Sequence, residues 1–325
     1  MNRKSIVCLM TTALLSIAPF VEAQQPGKVS RIGVLLSGSR SSTATITDTF
    51  RQGLRELGYI EGQNIAIEYR YADGKVDRLP ELAAELIGVK VNVLIAGGGN
   101  NVTRALKQET KTIPIVMTSG SDAVAGGLVS SLARPGGNVT GLTSLWDDLS
   151  GKRLELLKEA VPKLSRVAVL WESGAATQWK ASQTAAREVS LQLHSMEVRN
   201  ADDLENAFKE ATKARSGALS VTASPLLTAN RERVADLATK NRLPAVYAIP
   251  EHAEAGGLMA YGPNQADFYR RAATYVDKIL KGAKPADLPV EQPKNFEFII
   301  NLKAAKQIGL TIPQSVLYRA NKVIK

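Results

Sequence analysis

A stretch of 17 residues occurs twice in this chain. Ile113-Pro-Ile-Val-Met-Thr-Ser-Gly-Ser-Asp-Ala-Val-Ala-Gly-Gly-Leu-Val129, shifted by 130 positions, meets Leu243-Pro-Ala-Val-Tyr-Ala-Ile-Pro-Glu-His-Ala-Glu-Ala-Gly-Gly-Leu-Met259 without a gap, and seven of the 17 positions are identical. Each copy reads as a short strand opened by proline, where the missing N–H is harmless, followed by a turn and Gly-Gly-Leu leading into the next element. The echo extends to the flanks: Arg31-Ile-Gly-Val-Leu35 resembles Arg166-Val-Ala-Val-Leu170, and Ala72-Asp73 resembles Ala201-Asp202. A chain built this way folds as two lobes on one plan.

The plan itself is an alternation of strand and helix. Arg31 to Leu36 is an apolar run of strand length. Phe50, Leu54 and Leu57 then recur at helical spacing before Gly58. Asn64–Tyr71 is β-like, Leu79, Leu82, Leu86 and Ile87 form a helical stripe, and Val91–Ala96 and Pro114–Thr118 are further strands. Strict alternation implies an α/β fold in which each lobe is a parallel sheet flanked by helices. Near the end, Phe268, Ala272, Tyr275 and Ile279 mark a helix stopped by Gly282, and Phe296–Asn301 a strand. If that helix returns to the first lobe and the strand crosses back, three crossovers join the lobes and form a hinge. The expected lobes are 28–143 with 264–292, and 144–263 with 293–325.

Residues 1–23 read as a secretory signal peptide. Arg3 and Lys4 precede an apolar run from Ile6 to Phe20, then Val21-Glu22-Ala23 offers a cleavage site after Ala23. The expected location is periplasmic. Cys8, the one cysteine, lies inside that segment, so the mature chain has no thiol to serve as nucleophile or metal ligand and no disulfide. About 300 mature residues exceed one typical core. They carry 39 basic against 30 acidic residues, scattered along helices among each other, as in Lys152-Arg-Leu-Glu-Leu-Leu-Lys-Glu159. No basic cluster is interleaved with aromatics, so no nucleic-acid partner is expected.

In open parallel α/β sheets, ligands bind beyond the carboxyl ends of the strands, where helix N-termini offer free N–H groups. Two facing lobes put both sets of strand ends into one cleft. The first lobe contributes Ser37, Gly97, Gly98, Gly99, Asn100, Ser119 and Asp122; the second contributes Trp171, Glu172, Ser224 and Glu251. Ser144 and Tyr261 complete the candidate ligand set. These loops are rich in hydroxyls and amides and suit a small polar ligand. The three glycines either let backbone approach an anionic group at a helix start or simply make a tight turn. The first alternative predicts that Gly98→Val weakens ligand binding and leaves the fold intact. Asp122, Glu172 and Glu251 are candidates for holding an ammonium group or capping a helix. Trp171, Tyr247 and Tyr261 either stack on a flat ligand or pack the core.

Enzyme templates fit poorly. Only His194 and His252 exist, which leaves no His-x-x-x-His zinc site, and there is no Gly-x-Ser-x-Gly elbow or Walker A sequence. No cofactor, no metal and no catalytic residue is expected.

Phe50-Arg-Gln-Gly-Leu-Arg-Glu-Leu-Gly-Tyr-Ile-Glu-Gly-Gln-Asn64, Leu132-Ala-Arg-Pro-Gly-Gly-Asn-Val-Thr-Gly141, Ala255-Gly-Gly-Leu-Met-Ala-Tyr-Gly-Pro-Asn264 and Ile279-Leu-Lys-Gly-Ala-Lys-Pro-Ala-Asp-Leu-Pro-Val-Glu-Gln-Pro293 resemble the substrate-binding proteins of ABC-type transporters, the family with tryptophan- and tyrosine-binding members. The resemblance implies the type I periplasmic-binding-protein fold, a small-molecule ligand, a membrane permease as partner, and a monomer. It places an amino-acid-type carboxylate at Gly97–Asn100 and an acidic ligand residue at Asp122. Two stretches depart from the family pattern. Trp171-Glu-Ser-Gly174 stands where members carry an Asn-Pro-Asn-like turn, and Ala223-Ser-Pro225 where members often have Asp-Pro. A ligand sensor of the same fold, or less readily an exported α/β enzyme, are the alternative functions.

Overall fold

The computed structural model describes residues 29–325; the expected signal peptide and Cys8 lie outside the described residues. In chain order the first part comprises β1 (Ser30–Leu36), α1 (Ala44–Glu56), β2 (Ile65–Tyr71), α2 (Leu79–Gly88), β3 (Val93–Gly97), α3 (Asn100–Glu109), β4 (Ile115–Gly120) and β5 (Val139–Thr143). Next come α4 (Ser150–Ala160), β6 (Arg166–Trp171), α5 (Ala176–Glu188), β7 (Gln192–Glu197), α6 (Asp203–Lys213) and β8 (Ala218–Val221). They are followed by α7 (Pro225–Ala229), α8 (Arg231–Lys240), β9 (Ala245–Tyr247), α9 (Glu251–Glu254) and β10 (Met259–Pro263). The chain closes with α10 (Gln265–Leu280), β11 (Phe296–Asn301), α11 (Leu302–Gln307), α12 (Gln314–Leu317) and β12 (Lys322–Ile324).

Two sheets result. The first has the order β2-β1-β3-β4-β5, all parallel. Its interior strand β1 sends Ile32, Val34 and Leu36 to one apolar layer and Leu35 to the other, which is the alternation a strand covered on both faces requires. The second sheet has the order β12-β11-β10-β9-β8-β6-β7. It is parallel from β7 through β10, but β11 runs antiparallel to β10, pairing Met259 with Ile300 and Pro263 with Phe296. The direction of arrival explains the exception. The chain enters β11 from the first lobe, at the carboxyl end of β10, so it has only the opposite direction in which to run.

Helix α10 belongs to the second lobe by sequence position and to the first by packing. Its buried Phe268, Ala272, Ala273, Tyr275 and Val276 join the core layer of Phe50 and Leu54 from α1. Gly53 permits the approach, because a Cβ there would stand 3.0 Å from that of Ala273 and 3.1 Å from the Arg270 carbonyl oxygen. Asn264 caps the helix by accepting from the Asp267 N–H at 3.2 Å, and Gly282, at φ 101°, ends it. The chain thus passes between the sheets after β5, after β10 and before β11. At the last passage Glu291 extends the first sheet: its N–H donates to the Gly141 carbonyl (2.9 Å) and its carbonyl accepts from Thr143 (3.0 Å). Trp146, Ala248 and Ile249 complete the same buried apolar layer as Leu36, Phe268 and Tyr269, so hydrocarbon joins the two lobes on the side of these passages.

Candidate ligand cleft

The loops beyond the strand ends converge between the lobes. On the first lobe, the Ser37 N–H donates to the Gly97 carbonyl at 3.1 Å, which ties the β1 and β3 turns together. A Cβ on Gly97 would overlap the Tyr269 hydroxyl and Leu36; one on Gly98, at φ 102°, would overlap the Ser37 hydroxyl. These two glycines therefore exist for close packing of backbone on side chain. The expectation that Gly98→Val leaves the fold intact is corrected: that turn has no room for the side chain. Gly99 differs. At φ 104° and ψ −178° it occupies a region that only glycine tolerates, and nothing lies within 4 Å of the place a Cβ would take. Its open face sits at the start of α3, whose first turn carries no acidic residue.

Ser119 accepts from the Gly98 N–H at 3.3 Å. Asn100 donates to the Ser121 carbonyl at 2.7 Å, and its side-chain oxygen is buried without a partner. Asp122, exposed and at φ 24°, accepts from the Ala125 N–H at 3.0 Å and so closes its own turn. Ser144 is wholly buried, with both its N–H and its hydroxyl directed to the Gly120 carbonyl.

On the second lobe, Ser224 caps α7 by accepting from the Leu227 N–H at 3.2 Å, and Glu172 accepts from the Leu226 N–H at 3.3 Å. Burial pushes the Glu172 carboxyl above the ordinary range, against the opposing pull of the Ser224 hydroxyl and the Leu226 N–H. Burial likewise raises Glu251, one of whose carboxyl oxygens is buried with no partner. Trp171 and Tyr261 sit elsewhere. The Trp171 indole donates to the Ser195 hydroxyl at 2.8 Å and stacks on Trp179 of α5, with ring centroids 6.0 Å apart. Tyr261 packs between Phe296 and Phe298. Of the aromatic candidates, Tyr247 is core: wholly buried, its ring lies 5.1 Å from that of His252.

Gly97, Gly98, Gly99, Asn100, Ser37 and Ser119 thus form one contiguous surface, while Glu172 and Ser224 form a second around the start of α7. The two surfaces meet where Asn101 faces Gly174, whose Cβ position lies 4.0 Å from the Asn101 amide nitrogen. Ala223 packs against the first-lobe apolar layer beside Ile249.

Three supporting residues carry no sequence signal of their own. Gln178, on a helix without strong apolar periodicity, clips the Ala223 backbone with both ends of its amide at 2.9 Å. Tyr269 sits under Gly97, and only the neighbouring stripe residue Phe268 hints at it. Arg153 is buried in the first turns of α4 and donates to the Trp146 carbonyl at 2.7 Å and the Ser150 hydroxyl at 3.0 Å. Burial pushes its guanidinium down to about 10, with nearby Asp147 opposing. Beside it, a hollow of about 240 Å³ is lined by Asp122, Leu145, Trp146, Asp147 and Gln292 at the hinge.

The arrangement offers hydroxyls, amides, free helix-start N–H groups and two carboxyl groups held from water. Among the described residues no three His, Cys, Asp or Glu side chains are grouped to hold a metal ion, and no helix is long and apolar enough to cross a membrane.

Residues 31–324 match the family model described as ABC transporter substrate binding protein. A tyrosine-binding protein of Clostridioides difficile (strain R20291) is 25% identical over 287 residues, covering 87% of this chain and 82% of that one. The crystal structure of an ABC domain from Streptococcus pneumoniae in complex with L-Trp superposes with a TM-score of 0.83 at 26% identity, over 91% of this chain and all of the other. A conserved domain protein from Vibrio cholerae does so at 0.85 and 28%, again over 91% of this chain and all of the other.

Proposed function

The chain belongs to the ABC transporter substrate-binding protein family, and from that premise we propose that it is the extracytoplasmic solute-binding component of an importer, taking up an aromatic amino acid or a similar carboxylate in the interlobe cleft and delivering it to a membrane permease. The observation that carries this reading is the meeting of two polar loop surfaces, Gly97–Asn101 and Glu172–Ser224, beside the buried apolar layer that holds Ala248 and Ile249. Likeness to a protein solved with L-Trp and to a tyrosine-binding protein supports an aromatic amino acid as the ligand class.

In this reading the ligand carboxylate lies on the open face of Gly99 at the start of α3, where free N–H groups and the helix dipole favour negative charge. Ser37, Ser119 and Asn100 frame it, and Ser224 and Glu172 approach from the other lobe. The partnerless carboxyl oxygen of Glu251 takes the ammonium group. The lobes, 28–143 with 264–292 and 144–263 with 293–325, close about the three passages. Ligand drives closure only by the amount it favours the closed state. No bond is made or broken. The protein acts as a periplasmic monomer, released from its signal peptide after Ala23.

Calorimetric titration with L-tryptophan, L-tyrosine and non-aromatic amino acids tests the reading, together with recovery of the ligand. One site per chain and unchanged ligand are expected. At about 100 times its dissociation constant, a true ligand adds about 2.7 kcal/mol to stability. Consumption of the ligand, or no heat and no stabilisation from any aromatic amino acid, would overturn it.

A further inference from the structure

Strand β2 forms one edge of the first sheet, and on the face toward α1 it presents Ile67, Tyr69 and Tyr71. The two tyrosine rings are parallel within 9°, with centroids 6.1 Å apart. The Arg51 guanidinium of α1 covers the first of them, 4.8 Å from the ring centroid. Between α1 and these rings runs a groove of about 330 Å³, a volume within the range of small-molecule sites. Arg40, from the turn after β1, and Asp48 stand on its rim. None of the cleft residues described above lines it.

Three features of this groove have no internal explanation. The Tyr69 hydroxyl is buried without a hydrogen-bond partner, which is unfavourable unless something accepts from it. Arg40 is exposed and forms no ion pair among the described residues, whereas Arg51 already faces Asp48 at 3.4 Å and Glu61 at 3.3 Å. Two tyrosines line a channel open to water on an edge strand, where polar or charged residues ordinarily protect the edge.

We propose that this groove is a second small-molecule site, separate from the interlobe cleft, and that it takes an aromatic monocarboxylate. The ring lies along Tyr69 and Tyr71. The carboxylate receives the Tyr69 O–H and pairs with Arg40. Asp48, on the same rim, repels a second negative charge, so a dianion such as phosphate is a poor fit while a singly charged acid is not. Arg51 is already held between two carboxylates, Asp48 and Glu61, which leaves Arg40 as the cation that decides affinity.

The test uses the full chain labelled with ring-¹³C tyrosine, titrated with phenylacetate and followed by NMR. Tyr69→Phe and Tyr71→Phe assign the two signals among the eight tyrosines. Saturable shifts at both are expected, weakened about tenfold or more in Arg40→Gln, with neither 2-phenylethanol nor inorganic phosphate reproducing them. Arg40 lies on an exposed turn, and unchanged signals from the remaining tyrosines verify that its variant is folded. The proposal is overturned by any of three results. The two signals stay fixed in phenylacetate; they shift equally in Arg40→Gln; or the alcohol or phosphate alone moves them as far. Because the readout is local to Tyr69 and Tyr71, failure here leaves the cleft reading untouched, and a silent cleft leaves this one standing.

Discussion

A methyl group on Gly98 would overlap the Ser37 hydroxyl. The β3 turn lies directly on the end of β1, and Gly98 is also held at φ 102°, where other residues are strained. Two separable costs follow. Gly98→Ala is expected to lose at least about 2 kcal/mol in urea denaturation. Adding Ser37→Gly removes the overlap and leaves the backbone strain and the cost of the new glycine, so the double variant is expected to regain part of the loss. Simple additivity of the two single changes would show that Ser37 is not what Gly98 accommodates.

The sequence exposed the alternation, the two-lobe repeat and the turn glycines because each of these is a local pattern. Helix α10 could be read from Phe268, Ala272, Tyr275 and Ile279, but its docking on α1 depends on Gly53, whose absent side chain leaves no periodic mark. The antiparallel β11 is set by the side from which the chain arrives, which no local signal encodes. In the cleft, spacing identified the loops and could not orient their side chains. Ser144 and Trp171 stand at strand ends as expected, yet one is directed at the Gly120 carbonyl and the other at Ser195. Gln178 acts by reaching across to Ala223, so tertiary contact alone reveals it. Arg153 bonds only Trp146 and Ser150 just before it, and its burial is what spacing does not mark.

Gln178 holds the Ala223 N–H and carbonyl together at 2.9 Å each while only 3% exposed. Gln178→Ala strands both backbone groups and is expected to cost about 1–3 kcal/mol. Gln178→Glu keeps the acceptor but replaces the donor with a carboxylate oxygen facing the Ala223 carbonyl, so it should cost at least as much. Chemical denaturation of both variants checks the order. A Glu variant as stable as the parent would mean that the clip is not what positions the loop carrying Ser224.

His252 gives the protein an acid-sensitive arm. Burial lowers its pKa from 6.5 to about 4, with its hydrogen bond to the Leu227 carbonyl opposing. The unfolded chain therefore binds more protons than the folded one between these values. The contribution of His252 is fully present above 6.5 and is lost as pH falls toward 4. By pH 5 about 2 kcal/mol of it is gone. Urea midpoints at pH 7 and pH 5 should converge in His252→Gln relative to the parent, whatever its absolute stability. An equal drop in both proteins would assign the acid arm to other groups.

Glu251 titrates with the opposite sign. Burial raises its pKa above 4.5, its own N–H and Arg231 oppose the shift, and Glu254 and Glu297 reinforce it. The folded apo protein therefore holds a proton that the unfolded chain has released, and stability falls as pH climbs from 4.5 through the folded value. An ammonium group beside the partnerless oxygen favours the charged carboxylate, so ligand binding should expel that proton and tighten as pH rises through the same window. Glu251→Gln is expected to flatten the apo pH dependence there and to weaken L-tryptophan by about tenfold or more, roughly 1.4 kcal/mol. Indole-3-propionate, which keeps the ring and carboxylate but has no ammonium, should bind parent and variant equally. Calorimetry with the two ligands separates the roles: a loss confined to L-tryptophan identifies Glu251 as the ammonium anchor, and an equal loss of both makes it a support of the α9 turn instead.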